Sequence, residues 1–344
     1  MNNSGLRALD IALATEARAM YAHLLTQEDK DKISSLRSPD ELVAFLGRSE
    51  AWRPASLALP ATGATDEQFS EALNRCLFDD YERLYRFAND ASRGYLIFWT
   101  YEVELKVLLS TLRRLSDTAI TEFVPLPSQA ARQMRSVNLE RLKTAKSFDD
   151  VKAAVKDSLY SPILNAMEID PKTGIPDLTT ASMQLASHFY SALGKHLASG
   201  YRGPSKRELK RTVTFRTDML NISYLLRLRR FGTPVQQAMD MLLPLEGALS
   251  RDMQRRILEA DTDEDAVALI RSSRLGKWLA GVEDVSPEQL GRAAETAYYR
   301  KVMHGTPNLC VVDAFLTLKE NEADMLRRAF VALQYGLSPA RYML

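Results

Sequence analysis

The sequence predicts an all-α protein built from three successive helical repeats, over residues 7–122, 123–240 and 241–344. Three observations carry that expectation. Helix-starting signatures recur at a long and nearly regular interval. Apolar residues fall at helical spacing in almost every segment that has a period. Strand signals are scarce.

The first signature is a hydroxyl residue, an acid three positions later and then an apolar run. It occurs as Ser38-Pro-Asp-Glu41-Leu-Val-Ala-Phe-Leu46, as Ser147-Phe-Asp-Asp150-Val-Lys-Ala-Ala-Val155 and as Thr262-Asp-Glu-Asp265-Ala-Val-Ala-Leu-Ile270. At each the hydroxyl oxygen accepts a bond from a backbone N–H that the first helical turn leaves unpaired, and the acid can answer in return. One such cap is commonplace. Three of them, 109 residues apart (38 to 147) and 115 apart (147 to 262), mark a repeat.

Two further blocks recur in the same order. An aromatic-centred block reads Leu77-Phe78-Asp-Asp-Tyr81-Glu-Arg-Leu84, then Ala186-Ser-His-Phe189-Tyr190-Ser-Ala-Leu193, then Ala294-Glu-Thr-Ala-Tyr298-Tyr299. After it Tyr101-Glu-Val-Glu104-Leu105 aligns with Asp218-Met-Leu-Asn221-Ile222 and with Glu322-Ala-Asp-Met325-Leu326. Leu105, Leu108, Leu109 and Leu112 then follow one helical stripe, matched by Ile222, Leu225 and Leu226 and by Leu326, Ala329, Phe330 and Leu333. Arg229 interrupts the second stripe, so that helix is expected to leave the core there. Gly232 with Pro234 and Gly336 with Pro339 should stop the second and third helices, and Ser116-Asp117 the first. The paired arginines Arg113-Arg114 and Arg229-Arg230 precede two of these stops, where they complement the negative end of the helix dipole.

The best strand candidates are Gly94-Tyr-Leu-Ile-Phe-Trp99 and Asn308-Leu-Cys-Val-Val312. Both stand at the same relative place before the last block of a repeat, so they are expected to be buried helical turns instead. Loops are expected at Pro54–Thr65, Pro125–Ser128, Asp170–Thr179 and Gly203–Ser205.

Composition limits the functional classes. Forty-five basic and 44 acidic residues nearly cancel, so no global field draws the chain to nucleic acid or anionic lipid. Cys76 and Cys310 are too few for a disulfide framework and fit a reducing compartment. No apolar run is long enough to span a membrane, and the N-terminus lacks the profile of a secretory signal, so a cytosolic location is expected. No cofactor is implied.

Catalytic patterns are missing from the sequence. Gly194-Lys195 and Gly276-Lys277 lack the upstream glycine and the following Ser or Thr of a phosphate loop. His188 and His196 could share a helix face, yet no carboxylate or cysteine is spaced to complete a metal site. Cys76 and Cys310 read as small core residues. Asp79-Asp80 and Glu102/Glu104 read as solvated helix faces, because near neighbours on a helix point in different directions. One cluster stands out: Lys206, Arg207, Lys210 and Arg211, followed by Arg216. It is either a docking patch for an acidic partner or an exposed helix start after the Gly203-Pro204 turn.

The blocks together resemble the C subunit of the archaeal and bacterial V/A-type rotary ATPases, the counterpart of the d subunit of the eukaryotic vacuolar pump. The likeness begins at Arg18-Ala-Met-Tyr-Ala-His-Leu-Leu25 and continues through the Ser38 cap. It passes the Asp218-Met-Leu-Asn221-Ile222 step and closes in Leu318-Lys-Glu-Asn-Glu322 and Tyr335-Gly-Leu-Ser-Pro339. Glu104 and Met325 stand where the family's asparagine would be in the first and third copies. The resemblance implies three pseudo-symmetric helical repeats arranged as a funnel with a central cavity. It further implies a non-catalytic socket of the central stalk, peripheral on the cytoplasmic face of the membrane and monomeric within its complex. Its partners would be the central-shaft subunits and the membrane rotor ring. Two other classes remain open from the residues alone: a general α-helical scaffold or adaptor, and an all-α enzyme with a buried site.

Overall fold

The computed structural model describes residues 3–117, 126, 136–245, 247–280 and 287–342. All regular structure among them is helical. Packing divides the described residues into two compact units, one of residues 3–96, 126 and 299–342, the other of residues 97–117, 136–245, 247–280 and 287–298. These units group residues by contact, whereas the tripartite boundaries group them by internal likeness.

In the first unit, α1 (Asn3–Tyr21) is followed by the short helices α2 (Gln27–Ser34), α3 (Pro39–Leu46) and α4 (Arg53–Leu57). The long α5 (Asp66–Phe87) and the start of α6 (Asp90–Ser116) come next. The end of α15 (Pro287–Met303), all of α16 (Leu309–Gln334) and a 3-10 turn at Pro339–Tyr342 complete it. Its core lies where α1, α5 and α16 pack together. Phe69 and Phe330, both fully buried, stack there with ring centroids 4.2 Å apart. Arg18 ties α1 to the C-terminal end of α15 by donating to the Met303 carbonyl at 2.8 Å.

The second unit takes the remainder of α6 and repeats the short-then-long order. Here α7 (Leu139–Thr144), α8 (Phe148–Ala154) and α9 (Ser161–Ala166) precede the long α10 (Leu178–Gly200) and α11 (Gly203–Arg230). Then come α12 (Val235–Met241), α13 (Arg251–Leu258), α14 (Asp263–Ser272) and a 3-10 turn at Gly276–Trp278. Phe215 stacks on Tyr298 at 3.9 Å, and Trp278 meets Tyr298 edge-on at 5.1 Å.

The local signals hold closely. Ser38, Ser147 and Thr262 each accept the backbone N–H three residues on, from Glu41, Asp150 and Asp265. Of the three, the reciprocal acid-to-cap bond forms only at Ser147, where Asp150 accepts the Ser147 N–H. The recurring aromatics Phe78, Tyr81, Phe189, Tyr190, Tyr298 and Tyr299 are all buried. Gly232 and Gly336 close α11 and α16 with φ of +64° and +67°, a backbone that L side chains avoid. Both strand-like runs are helical, in α6 and α16. In α16 four consecutive residues, Leu309 to Val312, are buried, which erases the expected polar stripe, whereas in α6 Tyr95 and Leu96 are buried and Ile97, Phe98 and Trp99 half-buried.

Several expectations need correcting. Pro54 lies inside α4 and Pro204 inside α11, since proline fits the first helical turn, where its missing N–H costs nothing. The expected loops at Pro54–Thr65 and Gly203–Ser205 are therefore partly or wholly helix. The Asp170–Thr179 loop does form, closed by Gly174 N–H donating to the Asp170 carbonyl at 2.8 Å, and gives way to α10 at Leu178. Apart from Leu126, the Pro125–Ser128 loop lies outside the described residues. Arg229 does not mark an exit from the core. It donates to the Ala260 carbonyl at 2.9 Å and pairs with Asp263, so its charge is spent on the start of α14. Arg114 likewise caps the Leu142 and Ala145 carbonyls at the end of α7, at 3.0 and 3.1 Å.

Candidate functional site

The basic cluster separates into two roles. Lys206 folds back to donate from Nζ to the Ala198 carbonyl at 2.7 Å, capping the end of α10. Arg216 is largely buried and pairs with Glu102 at 2.6 Å. Arg207, Lys210 and Arg211 stay exposed on one face of α11, opposite the buried Leu209, Thr212 and Val213. Spacings of three and four residues put all three cations on that face. The structure thus presents a smaller patch than the sequence suggested.

The carboxylates read as solvated faces are mostly not solvated. Asp79 is exposed, but Asp80 pairs with Lys319, whose side chain is buried, and Glu102 is taken up by Arg216. Glu104 is 1 % exposed. A lone acid on a helix looks polar in sequence, and only the packing of other segments reveals that it is enclosed. Cys76 is a buried core residue as expected, and burial pushes its thiol up to about 11, away from nucleophilic chemistry. His196 packs its ring against Phe98 at 5.2 Å and Tyr201 at 5.8 Å. Among the described residues no cluster of His, Cys, Asp and Glu is arranged to hold a metal ion.

Three buried carboxylates form the most distinctive chemistry of the chain. Glu322 on α16 accepts the Leu25 N–H at 3.0 Å through one oxygen and the Trp52 indole N–H at 2.6 Å through the other. Lys30 and Lys319 lie close enough to draw its pKa down, yet burial wins and raises it to about 7. Lys319 also sits 4.9 Å over the Trp52 ring.

Asp218 on α11 is also 1 % exposed. Its oxygens accept the Ala248 N–H at 2.6 Å and the Leu249 N–H at 3.4 Å. Burial raises this acid to about 6, against the pull of those two bonds. The approach depends on Gly247, where a Cβ would stand 2.2 Å from Asp218 Oδ2. One turn further along α11, Asn221 exchanges bonds with Leu243, accepting its N–H at 2.9 Å and donating to its carbonyl at 3.4 Å. Together the pair binds both ends of the segment between α12 and α13.

Glu104 on α6 accepts the Ser136 hydroxyl at 3.1 Å, and burial raises it to about 7. It neighbours Tyr160, whose hydroxyl donates to the Tyr101 carbonyl at 2.5 Å.

The positions addressed are equivalent. Leu25 directly precedes Thr26, the N-cap of α2; Leu249 precedes Ser250, the N-cap of α13; Ser136 lies two before Asn138, the N-cap of α7. The three caps are 112 residues apart (26 to 138) and 112 apart again (138 to 250). This interval is a fourth recurring signal in the sequence, and matching by residue type misses it. It also shifts the register of the first copy. Glu104, and not Tyr101, occupies the place of Asp218 and Glu322. These sites accept hydrogen bonds from the main chain and from anchoring side chains, and hold segments in place.

Comparison with known proteins fits this arrangement. The family described as ATP synthase (C/AC39) subunit matches residues 13–343. A curated relative, the C subunit of the A-type ATP synthase of Pyrococcus horikoshii, is 22% identical over 322 residues, covering 92% of this chain and 83% of the relative. Among the described residues no helix is long and apolar enough to cross a membrane. An all-helical chain matched along almost its whole length, with its buried acids spent on holding segments together, belongs to the ATP synthase (C/AC39) subunit family, which includes the C subunits of the V/A-type ATPases.

Proposed function

We propose that this chain is the non-catalytic central-stalk component of a V/A-type rotary ATPase, a socket that couples the central shaft to the membrane rotor ring. The observation that carries the reading is the near full-length family match, residues 13–343, beside a relative named as the C subunit of an A-type ATP synthase. In this reading the repeats over 7–122, 123–240 and 241–344 form a funnel that receives the shaft in its cavity. The recurring caps, buried aromatics and buried carboxylates support a three-part construction. The protein lies on the cytoplasmic face of the membrane as one copy in its complex. It carries no reaction of its own, because nucleotide chemistry belongs to other subunits.

The role is mechanical. A socket between parts of unlike symmetry must pass torque without yielding, and close-packed helices compress little. Arg207, Lys210 and Arg211 are the candidate docking patch for an acidic face of a neighbouring component, with Lys206 holding the helix end beneath them. Exposed Phe231 and Tyr335, which follow α11 and α16 directly, offer apolar contacts of the kind a partner covers. Deleting the protein should leave ATP hydrolysis by the soluble head running while ATP-driven ion transport stops. Loss of hydrolysis from a head lacking only this chain would overturn the reading.

A further inference from the structure

We propose that Glu104, Asp218 and Glu322 are one clasp occurring three times: each anchors, from the last long helix of one repeat, the segment that leads into a short capped helix of the next. On this scheme Glu322 returns the third repeat to the first. The proposal goes beyond the coupling role. It rests on the tripartite construction of the chain and on no partner.

The geometry supports it at each step. Glu104 reaches forward to Ser136, just before α7, and Asp218 to Ala248 and Leu249, just before α13. Glu322, on the last long helix of the third repeat, takes the Leu25 N–H, just before α2. An open array of repeats leaves its last binding element unmatched and needs a polar capping unit. Here the element that would be left over is buried and satisfied at the other end of the chain. The helices so held are short, from six to eight residues in α7, α2 and α13, and helices of that length do not persist by themselves in water. Each has a side-chain N-cap of its own, so the carboxylate serves the residues leading into the helix, where no helical bond is available.

Chemistry varies while position is kept. The first clasp meets a serine hydroxyl, the second two main-chain N–H groups beside an obligatory glycine, and the third one main-chain N–H and an indole. What is shared is a buried acceptor at one turn of the last helix. That is why alignment by residue type pairs Tyr101 with Asp218 and passes over Glu104.

Amide hydrogen exchange on the full chain, followed by mass spectrometry, tests this. Glu104→Gln should speed exchange at least tenfold in 137–144, Asp218→Asn in 247–258 and Glu322→Gln in 25–34, with the other two segments unchanged in each variant. Carboxamides keep the size of the acid but turn an N–H toward one of its donors. Where such a variant does not fold, Ser136→Ala and Trp52→Phe remove a partner and keep the acid, and must localise the change to the same repeat. A uniform rise across all three segments would mean that the acids are only core residues, and the proposal fails. No change in the addressed segment defeats it equally.

Discussion

Glu322 is held between an indole N–H and a main-chain N–H with Lys30 and Lys319 close by, whereas Asp218 meets two main-chain N–H groups beside a glycine. Both acids are buried, and each bonds a residue that precedes a short capped helix. The first site spends large side chains on charge compensation: Lys319 is shared between Asp80 and the face of Trp52. The second spends backbone, and its one sequence requirement is the absence of a side chain at Gly247. A shared structural task thus leaves little shared residue chemistry, and likeness between repeats is carried by position and burial.

Removing each acid should sharpen that difference. Glu322→Ala is expected to cost the most, about 3–5 kcal/mol, because it strands two buried donors and empties the space the side chain filled. Urea denaturation of variant and parent measures it. A loss no larger than that of a typical exposed substitution would show that the Leu25 and Trp52 donors do not depend on Glu322.

Titration separates the sites next. Glu104 and Glu322 rise from 4.5 to about 7, and Asp218 from 3.8 to about 6. A raised acid binds its proton more tightly in the folded state. Its contribution is therefore full below the unfolded pKa and is lost as pH climbs through the folded one. The stability of the parent relative to Glu322→Gln should fall by about 3 kcal/mol between pH 4.5 and 7, on the scale of 1.36 kcal/mol per pKa unit. Relative to Asp218→Asn the fall should be complete nearer pH 6. Taking each variant as the reference cancels His196, which burial pushes the opposite way. A difference that stays flat with pH would sink this account.

The smallest effect belongs to the exposed cations. Arg207→Ala, Lys210→Ala and Arg211→Ala should each move stability by less than about 0.5 kcal/mol, since none anchors a buried group. Calorimetry checks this. A loss approaching that at Glu322 would make the patch structural and remove it as a docking surface.

Much of the fold was legible in advance. The Ser38, Ser147 and Thr262 caps, the helical character of Gly94–Trp99 and Asn308–Val312, and the glycine stops at Gly232 and Gly336 each rest on contacts within a few residues. The site was far less legible. Glu104 looked like a solvated acid, and Arg229 like an exit from the core. Asp80 gave no sign of Lys319, which lies 239 positions away. The 112-residue interval between Thr26, Asn138 and Ser250 is present in the chain, but those caps lack the acid-then-apolar pattern that makes the other three conspicuous.

By itself the sequence determined helix, cap and stop, because a helical bond spans four residues and a capping bond three. Tertiary structure alone decided which acids would lose their water and what would replace it. Desolvation depends on every segment that closes over a side chain, and the donors came from 30 residues away for Asp218 and 297 for Glu322. Local chemistry therefore wrote the helices, and distant chain segments chose which of their charges became structural.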